Sequence, residues 1–270
     1  MLNLTVIITL YKTPSKQLLN LKNYKGLKIL IANQTPDRNL KKRLIKLFGK
    51  KLKYYQFKEN IGLSKSSNFL LKKVKTKYCL FTQADINISK KNIEKLYKFI
   101  IKNKFIFVGP NILTKKNDKI KLGNKRNNEI VKKLDASILM MDTKKLEKTG
   151  FFDNDFFLYW EDIMLMKKIN ATKNKMAKLN NVSAFHLGES STEKNFKIDF
   201  IRWNNYRYGE YLYDYKTKNL KFIKIVRRLI SSIILIVINI LSFNLRKINK
   251  LFAEIVGILK FVGYLMKKYI

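Results

Sequence analysis

Cysteine is nearly absent from this chain, and one thiol, Cys79, excludes both an intramolecular disulfide framework and a cysteine-rich zinc site. Flanked by Tyr78, Leu80 and Phe81, it reads as a buried strand residue. Acid is scarce as well: Asp+Glu 19 against Lys+Arg 57 gives a formal net charge of +38. Such a balance predicts attraction to polyanions such as anionic lipid, nucleic acid or nucleotide phosphates. Much of the excess is Lys, spread through every region beside many Asn and Ile, so it equally reads as the composition bias of an AT-rich genome. Internal repeats are missing. No apolar run reaches the ~20 residues that span a bilayer comfortably. The first apolar run, residues 4–10, is far too short for a secretory leader and lacks a basic lead. The chain is therefore expected in the cytoplasm.

What is present is a core. The 46% hydrophobic content of 270 residues excludes a wholly disordered chain and suits one sizeable domain with an appendage. Residues 4–10 are uniformly apolar, as in a strand buried on both faces. Pro14 with Gln17, Leu18 and Leu21 marks a turn into a helix. Further strands are predicted over 28–32, 52–57, 78–82, 105–108 (closing against Gly109-Pro110), 136–141 and 175–187. Helices are predicted over 39–48, 63–74, 90–103 and 196–215, and a polar, Lys-rich surface loop over 114–128. Strands alternating with helices argue for a mostly parallel α/β sheet, whose ligands bind at the carboxyl ends of the strands.

Within this frame one stretch, residues 150–168, carries an unusual density of rings: Phe151, Phe152, Phe156, Phe157, Tyr159 and Trp160. So many rings must pack against a core, which holds the adjacent Glu161-Asp162 pair in place. Ile163, Met164 and Ile169 fall at helical spacing, which sets both acids in a first helical turn, where the dipole favours negative charge. A helix cap and a catalytic base are both consistent with that position.

Other pieces accompany the pair. Asn60-Ile61-Gly62 follows a strand and leads through Ser64 into a helix carrying Asn68; Gly62 suits a tight turn with backbone amides near a phosphate. Gln83-Ala84-Asp85 follows a strand, where Asp85 is either a turn former or a carboxylate beside a divalent metal and phosphates. His186, the only histidine, ends a strand before Gly188 and Ser190; a structural role and a site role both fit. Tyr11, just past the first strand, is placed to stack on a base.

In this order the pieces resemble glycosyltransferase family 2, of GT-A fold, and more narrowly its rhamnosyltransferase-like branch, over about residues 3–215. The resemblance implies a Rossmann-like nucleotide-diphospho-sugar transferase fold in a domain of residues 1–215, followed by C-terminal helices over 216–270. It matches Thr9-Leu10-Tyr11-Lys12 to the family's opening strand, Asn60, Gly62 and Asn68 to its Asn-Gly loop, and Gln83-Ala84-Asp85 to its metal motif. Gly150-Phe151-Phe152-Asp153, Phe156-Phe157, Tyr159 and Glu161-Asp162 match its most specific signature, and His186, Gly188 and Ser190 its late His element. Asp162 is then the expected base with Glu161 as alternate, and Asp85 with His186 the side of a Mg²⁺ or Mn²⁺ ion. Thr9, Tyr11, Asn33, Asn60, Gly62, Asn68, Gln83, Ala84 and Lys168 are the expected donor-binding residues. The reaction implied is inverting transfer of rhamnose or another hexose from a nucleoside-diphosphate sugar to a saccharide or lipid-linked acceptor in cell-surface polysaccharide synthesis. The chain departs from the pattern at Ala32, where an acid is usual, at Gln83, at Met164 in place of a further acid, and at Lys168 in place of Arg.

Residues 229–243 and 251–266 form two apolar runs, flanked by Arg227-Arg228 and Arg246-Lys247, the second carrying only Glu254 and Lys260. These bases suggest helices lying in an anionic membrane surface at its cytoplasmic face. A helical hairpin packed on the domain and a true span by residues 225–243 are the alternatives. Two other functional classes stay open: a basic nucleic-acid-binding protein with stacking aromatics, and a family-like scaffold that has lost catalysis.

Overall fold

The computed structural model describes residues 2–114, 127–186, 191–193 and 195–269. The chain divides into two compact units, Met1–Asp153 with Leu165–Glu193, and Asn154–Met164 with Lys194–Ile270.

The first unit is built on a mixed sheet with nine strands among the described residues: β1 (Leu4–Leu10), β2 (Lys28–Asn33), β3 (Leu52–Gln56), β4 (Tyr78–Thr82), β5 (Ile86–Asn87), β6 (Phe107–Leu113), β7 (Asn128–Val131), β8 (Ile138–Asp142) and β9 (Met176–His186). Their order is β3-β2-β1-β4-β8-β6-β9-β5, with β7 on β9. The stretch β3-β2-β1-β4 is parallel, β8 runs antiparallel between β4 and β6, and β6 is parallel to β9.

The uniform apolarity of β1, β2, β4 and β8 follows from burial on both faces. Leu4, Val6, Ile8 and Leu10 of β1 join Ile29, Ile31, Leu80 and Met140 in one core layer, while Ile7 joins Leu30, Cys79, Phe81 and Met141 in the other. Alternate residues of a strand point to opposite faces, so an apolar layer on each side demands an unbroken apolar run. Helices α1 (Ser15–Leu18), α2 (Arg38–Phe48), α3 (Leu63–Leu71), α4 (Lys90–Asn103) and α5 (Thr143–Thr149) connect the strands. Asp37, Ser89 and Asp142 cap α2, α4 and α5 by accepting from the amides of Leu40, Asn92 and Lys145.

The predicted strand at 105–108 instead runs through Gly109 and Pro110 to Leu113, with a register shift between Pro110 and Asn111. Proline is tolerated because β8 pairs only with Phe107 and Val108, leaving Pro110 beyond that ladder. The predicted helix 63–74 ends at Leu71. Strands β5 and β7 have no counterpart in the sequence reading, being two and four residues long. Most of the predicted loop 114–128 lies outside the described residues, as do Gly188 and Ser190.

The second unit is helical: α7 (Phe196–Lys216), α8 (Phe222–Leu241) and α9 (Leu245–Tyr269), with the segment 154–164 that includes the start of α6 (Glu161–Asn170). Its core is formed by Phe156, Tyr208, Tyr211, Leu212, Ile225, Ile258 and Phe261. At Gly257 a β-carbon would lie 2.4 Å from the Asn204 carbonyl oxygen, so α9 approaches α7 as closely as backbone allows. Glu254, 1% exposed in the middle of α9, pairs with Arg207 Nη2 of α7 at 3.3 Å and with Arg228 Nε of α8 at 2.9 Å. Lys260 donates to Asn205 Oδ1 at 3.1 Å and lies 4.5 Å from the Tyr208 ring centroid. The two charges that interrupt the second apolar run thus both have partners on α7. Among the described residues no helix is long and apolar enough to cross a membrane.

Candidate active site

In the first unit, the carboxyl ends of β1, β2 and β4 gather most of the predicted donor-side residues. Register pairs Thr9 with Ala32 and Leu10 with Asn33. Tyr11 follows half-buried, and Lys12, in the left-handed region at φ 43°, donates its amide to Thr35 Oγ1 and accepts at its carbonyl from the Glu193 amide.

Asn33 is 1% exposed and its amide group reaches the Tyr54 hydroxyl at 2.9 Å and the Thr35 carbonyl. It organises the end of β2 from within. The Asn60-Gly62 turn is tight as expected: Gly62 has φ 87°, and its amide donates to Asn60 Oδ1 at 3.0 Å. The Ile61 amide donates to Gln34 Oε1 at 2.9 Å. Of the loop amides expected near a phosphate, that of Gly62 closes the turn on Asn60 and that of Ile61 ties the loop to the end of β2. Asn68, also expected at the donor, is 6% exposed; its Nδ2 donates to the Phe152 carbonyl at 2.7 Å and its Oδ1 accepts from the Phe152 amide at 3.1 Å. It satisfies Phe152 as a neighbouring strand would, fixing the start of the aromatic segment to α3.

After β4, Gln83 is half-buried and Ala84 is 1% exposed, its carbonyl accepting from Asn20 Nδ2 at 3.0 Å. Asp85, also 1% exposed, sits beside β5, whose pairing Ile86 to His186 brings the two chemistry-bearing side chains together. His186 Nε2 lies 3.4 Å from Asp85 Oδ2. Burial of the imidazole acts to lower its pKa, but the hydrogen bond and charge of Asp85, with Asp135 further off, outweigh it and raise the value.

This pair offers one oxygen and one nitrogen donor. Among the described residues no group of three or more His, Cys, Asp and Glu is placed to hold a metal. Two protein donors fit a hard divalent cation that takes its remaining ligands from phosphate oxygens and water. Lys168 is half-buried on α6.

In the second unit, the acid pair opens α6, and the chain reaches it through two consecutive aromatic residues in the left-handed region, Tyr159 at φ 69° and Trp160 at φ 70°. Bulky residues there cost on the order of 1–2 kcal/mol each, so surrounding contacts must over-determine the turn. Trp160 lies 5.7 Å from the Tyr206 ring and 5.4 Å from Tyr213, and Tyr159 lies 5.9 Å from Tyr206. A β-carbon at Gly209 would lie 2.9 Å from Trp160 Cδ1 and 3.1 Å from the Tyr159 carbonyl oxygen, so α7 leaves room for this turn by a missing side chain.

The outcome is a divided pair. Glu161 is 5% exposed, with Oε2 buried and without a hydrogen-bond partner among the described residues. Burial, and then the Asp162 charge beside it, push its pKa up to about 8. Asp162 is half-buried. Burial therefore disfavours the charged form of Glu161, while Asp162 is the less buried carboxyl of the two.

Sequence reasoning missed Gln34, Asn20 and the Tyr159–Trp160 turn. The first two are polar residues just beyond apolar strands or turns, a usable signal; aromatic residues carry none for a left-handed turn.

A mixed sheet of this order, with ligand-type residues at the carboxyl ends of its parallel strands and a C-terminal helical region, is the fold of a GT-A glycosyltransferase. Structural comparison agrees: GalNAc-T7, in a structure with UDP, GalNAc and Mn²⁺, superposes with a TM-score of 0.60 at 13% identity, covering 76% of this chain and 47% of that one. Staphylococcus aureus TarS 1–349 gives 0.55 at 15% identity over 76% of this chain and 65% of that one, and its complex with UDP-GlcNAc gives 0.55 at 16% over 76% and 66%. The chain spans between about half and two-thirds of the length of these structures. Comparison with curated protein sequences gave no match. The family model described as glycosyl transferase family 2 matches residues 15–172, more than half of the chain. The chain belongs to glycosyl transferase family 2.

Proposed function

We propose that this protein transfers a hexose, rhamnose or another, from a nucleoside-diphosphate sugar to a hydroxyl of a saccharide or lipid-linked acceptor in cell-surface polysaccharide synthesis, with inversion at the anomeric carbon. Family membership supports the chemistry. The rhamnosyltransferase-like branch rests on the resemblance of the motifs taken together over about residues 3–215. The observation that carries the mechanism is the unequal burial of the acid pair: a general base must ionise at working pH, and burial opposes that more for Glu161 than for the less buried Asp162.

In this reading the acceptor oxygen attacks the anomeric carbon as the bond from that carbon to the diphosphate oxygen breaks. The acceptor proton passes to Asp162, and the electron pair leaves with the nucleoside diphosphate. Asp162 at the first turn of α6 benefits from the helix dipole while it is charged.

On the donor side, Asp85 and His186 are the residues that would hold Mg²⁺ or Mn²⁺, which when bound neutralises charge developing on the diphosphate. Thr9, Tyr11, Gln83 and Lys168 are the residues left to contact nucleotide and sugar directly, while Asn33, Asn60, Gly62 and Asn68 hold the loops that shape the site.

The test is a panel of nucleoside-diphosphate sugars assayed for diphosphate release with and without Mg²⁺ and Mn²⁺. Turnover of one donor class, dependent on metal and on Asp162, is expected. Absence of binding and release across the panel would overturn the reading.

A further inference from the structure

Helix α8 contains no acid and carries an apolar surface that no described residue covers. Its buried side, Ile225, Ser232, Ile236 and Asn239, repeats at intervals of seven, four and three residues. The opposite side repeats in the same way through Ile223, Ile230, Ile234, Val237 and Leu241, which are 63%, 53%, 54%, 55% and 78% exposed. At ~1.5 Å per residue the row extends along a helix of roughly 30 Å. Phe243, at the turn into α9, is 88% exposed. Contiguous apolar surface of this extent on a charged protein marks an interaction face.

Its borders are basic: Lys221 precedes the helix, Arg227 lies among the apolar residues, and Lys247 and Arg246, the latter paired with Asp199 at 3.2 Å, follow the turn, all exposed. We infer that α8 lies flat in the headgroup region of an anionic lipid bilayer, with the Ile223 to Leu241 row and Phe243 in the acyl boundary and the basic border on lipid phosphates.

Charge selects this occupant. A second copy of a chain of net charge +38 would bring the same acid-free, basic-bordered row against its own like. An anionic surface instead attracts each basic residue near it. Packing selects the in-plane attitude. Glu254 is buried between Arg207 and Arg228, so a hairpin leaving α7 to cross the bilayer would carry a carboxylate into hydrocarbon without Arg207. Lying flat disturbs neither pair. Arg227 reaches the phosphate level by extending its stem along the apolar row.

The test is co-sedimentation of the full chain with vesicles of phosphatidylglycerol and phosphatidylcholine, against vesicles of phosphatidylcholine alone. Partition is expected to be at least ~10-fold stronger on the anionic vesicles and to fall severalfold as salt screens the border. The double substitution Ile234→Glu, Val237→Glu should weaken it by ~10-fold or more, with tryptophan fluorescence and melting unchanged. Arg227→Gln with Lys247→Gln, two of the four border bases, should lower the preference for anionic lipid severalfold. Equal sedimentation of the glutamate variant, or equal partition onto both vesicle types, would overturn the inference. So would a dimer in sedimentation velocity that the glutamate variant dissolves while vesicle binding is absent. Vesicle binding requires neither donor nor acceptor, so its failure and a failure of sugar transfer are read separately.

Discussion

Replacing Glu161 by Gln should change how stability depends on pH, and the direction follows from burial. In the folded protein the Glu161 carboxyl holds its proton up to about pH 8, against 4.5 for the group in water. Between those values the folded chain binds a proton that the unfolded chain has released, so stability falls as pH rises from about 4.5 through about 8 and then levels off. Across that interval the loss is on the order of a few kcal/mol. The glutamine side chain of the variant does not titrate. Its amide brings donors to a buried position where Oε2 of Glu161 has no partner among the described residues, a penalty of about 1–3 kcal/mol that does not vary with pH. The slope is therefore the test: the variant should gain on the parent protein as pH rises from 5 to 8, with titrating groups that do not interact with Glu161 cancelling in the difference. Urea unfolding followed by tryptophan fluorescence is the suitable assay, because both tryptophans, Trp160 and Trp203, belong to the unit that carries Glu161. A difference that stays constant within about 0.5 kcal/mol across that range would refute the role given to burial, and with it the choice of Asp162 over Glu161 as base.

Three further outcomes are expected. Asp162→Asn should lower turnover about 10² to 10⁴-fold while donor affinity, measured by calorimetry, stays near the parent value; near-parent turnover would remove Asp162 from the chemistry. Gly209→Ala should destabilise the second unit by about 1–3 kcal/mol, since its methyl group meets Trp160 and the Tyr159 carbonyl, and the shift should register in the tryptophan emission of the folded state. Asn68→Ala strips both hydrogen bonds from the buried Phe152 backbone and should cost about 2–5 kcal/mol in chemical unfolding; a loss of activity without loss of stability would instead return Asn68 to the donor site.

What could be read from sequence was what local pattern encodes. The two-faced apolarity of β1, β2 and β4 betrays a sheet covered on both sides, and the spacing beyond Trp160 places Glu161 and Asp162 in a first helical turn. What escaped is long-range or conformational. Asn68 finds Phe152 across 84 residues, and nothing in either neighbourhood announces that pairing. Glu254 looks like a flaw in an apolar run until Arg207 and Arg228 are brought to it. Strand β5 is too short for any period to show. The left-handed Tyr159–Trp160 turn runs against the preference of both residues and is imposed by packing around Gly209.

The Glu254 ion pairs also decide where this chain can be cut. Arg207 is 8% exposed and leans on a carboxylate carried by the last helix, and Tyr211 and Phe261 share one core. Removing everything after α7 would leave Arg207 with Glu210 alone and strip the cover from Tyr208, Tyr211 and Leu212, and the shortened protein would aggregate or unfold for reasons unrelated to lipid. Any dissection of the C-terminal helices has to proceed by point substitution on the outer row of α8, with the full length retained.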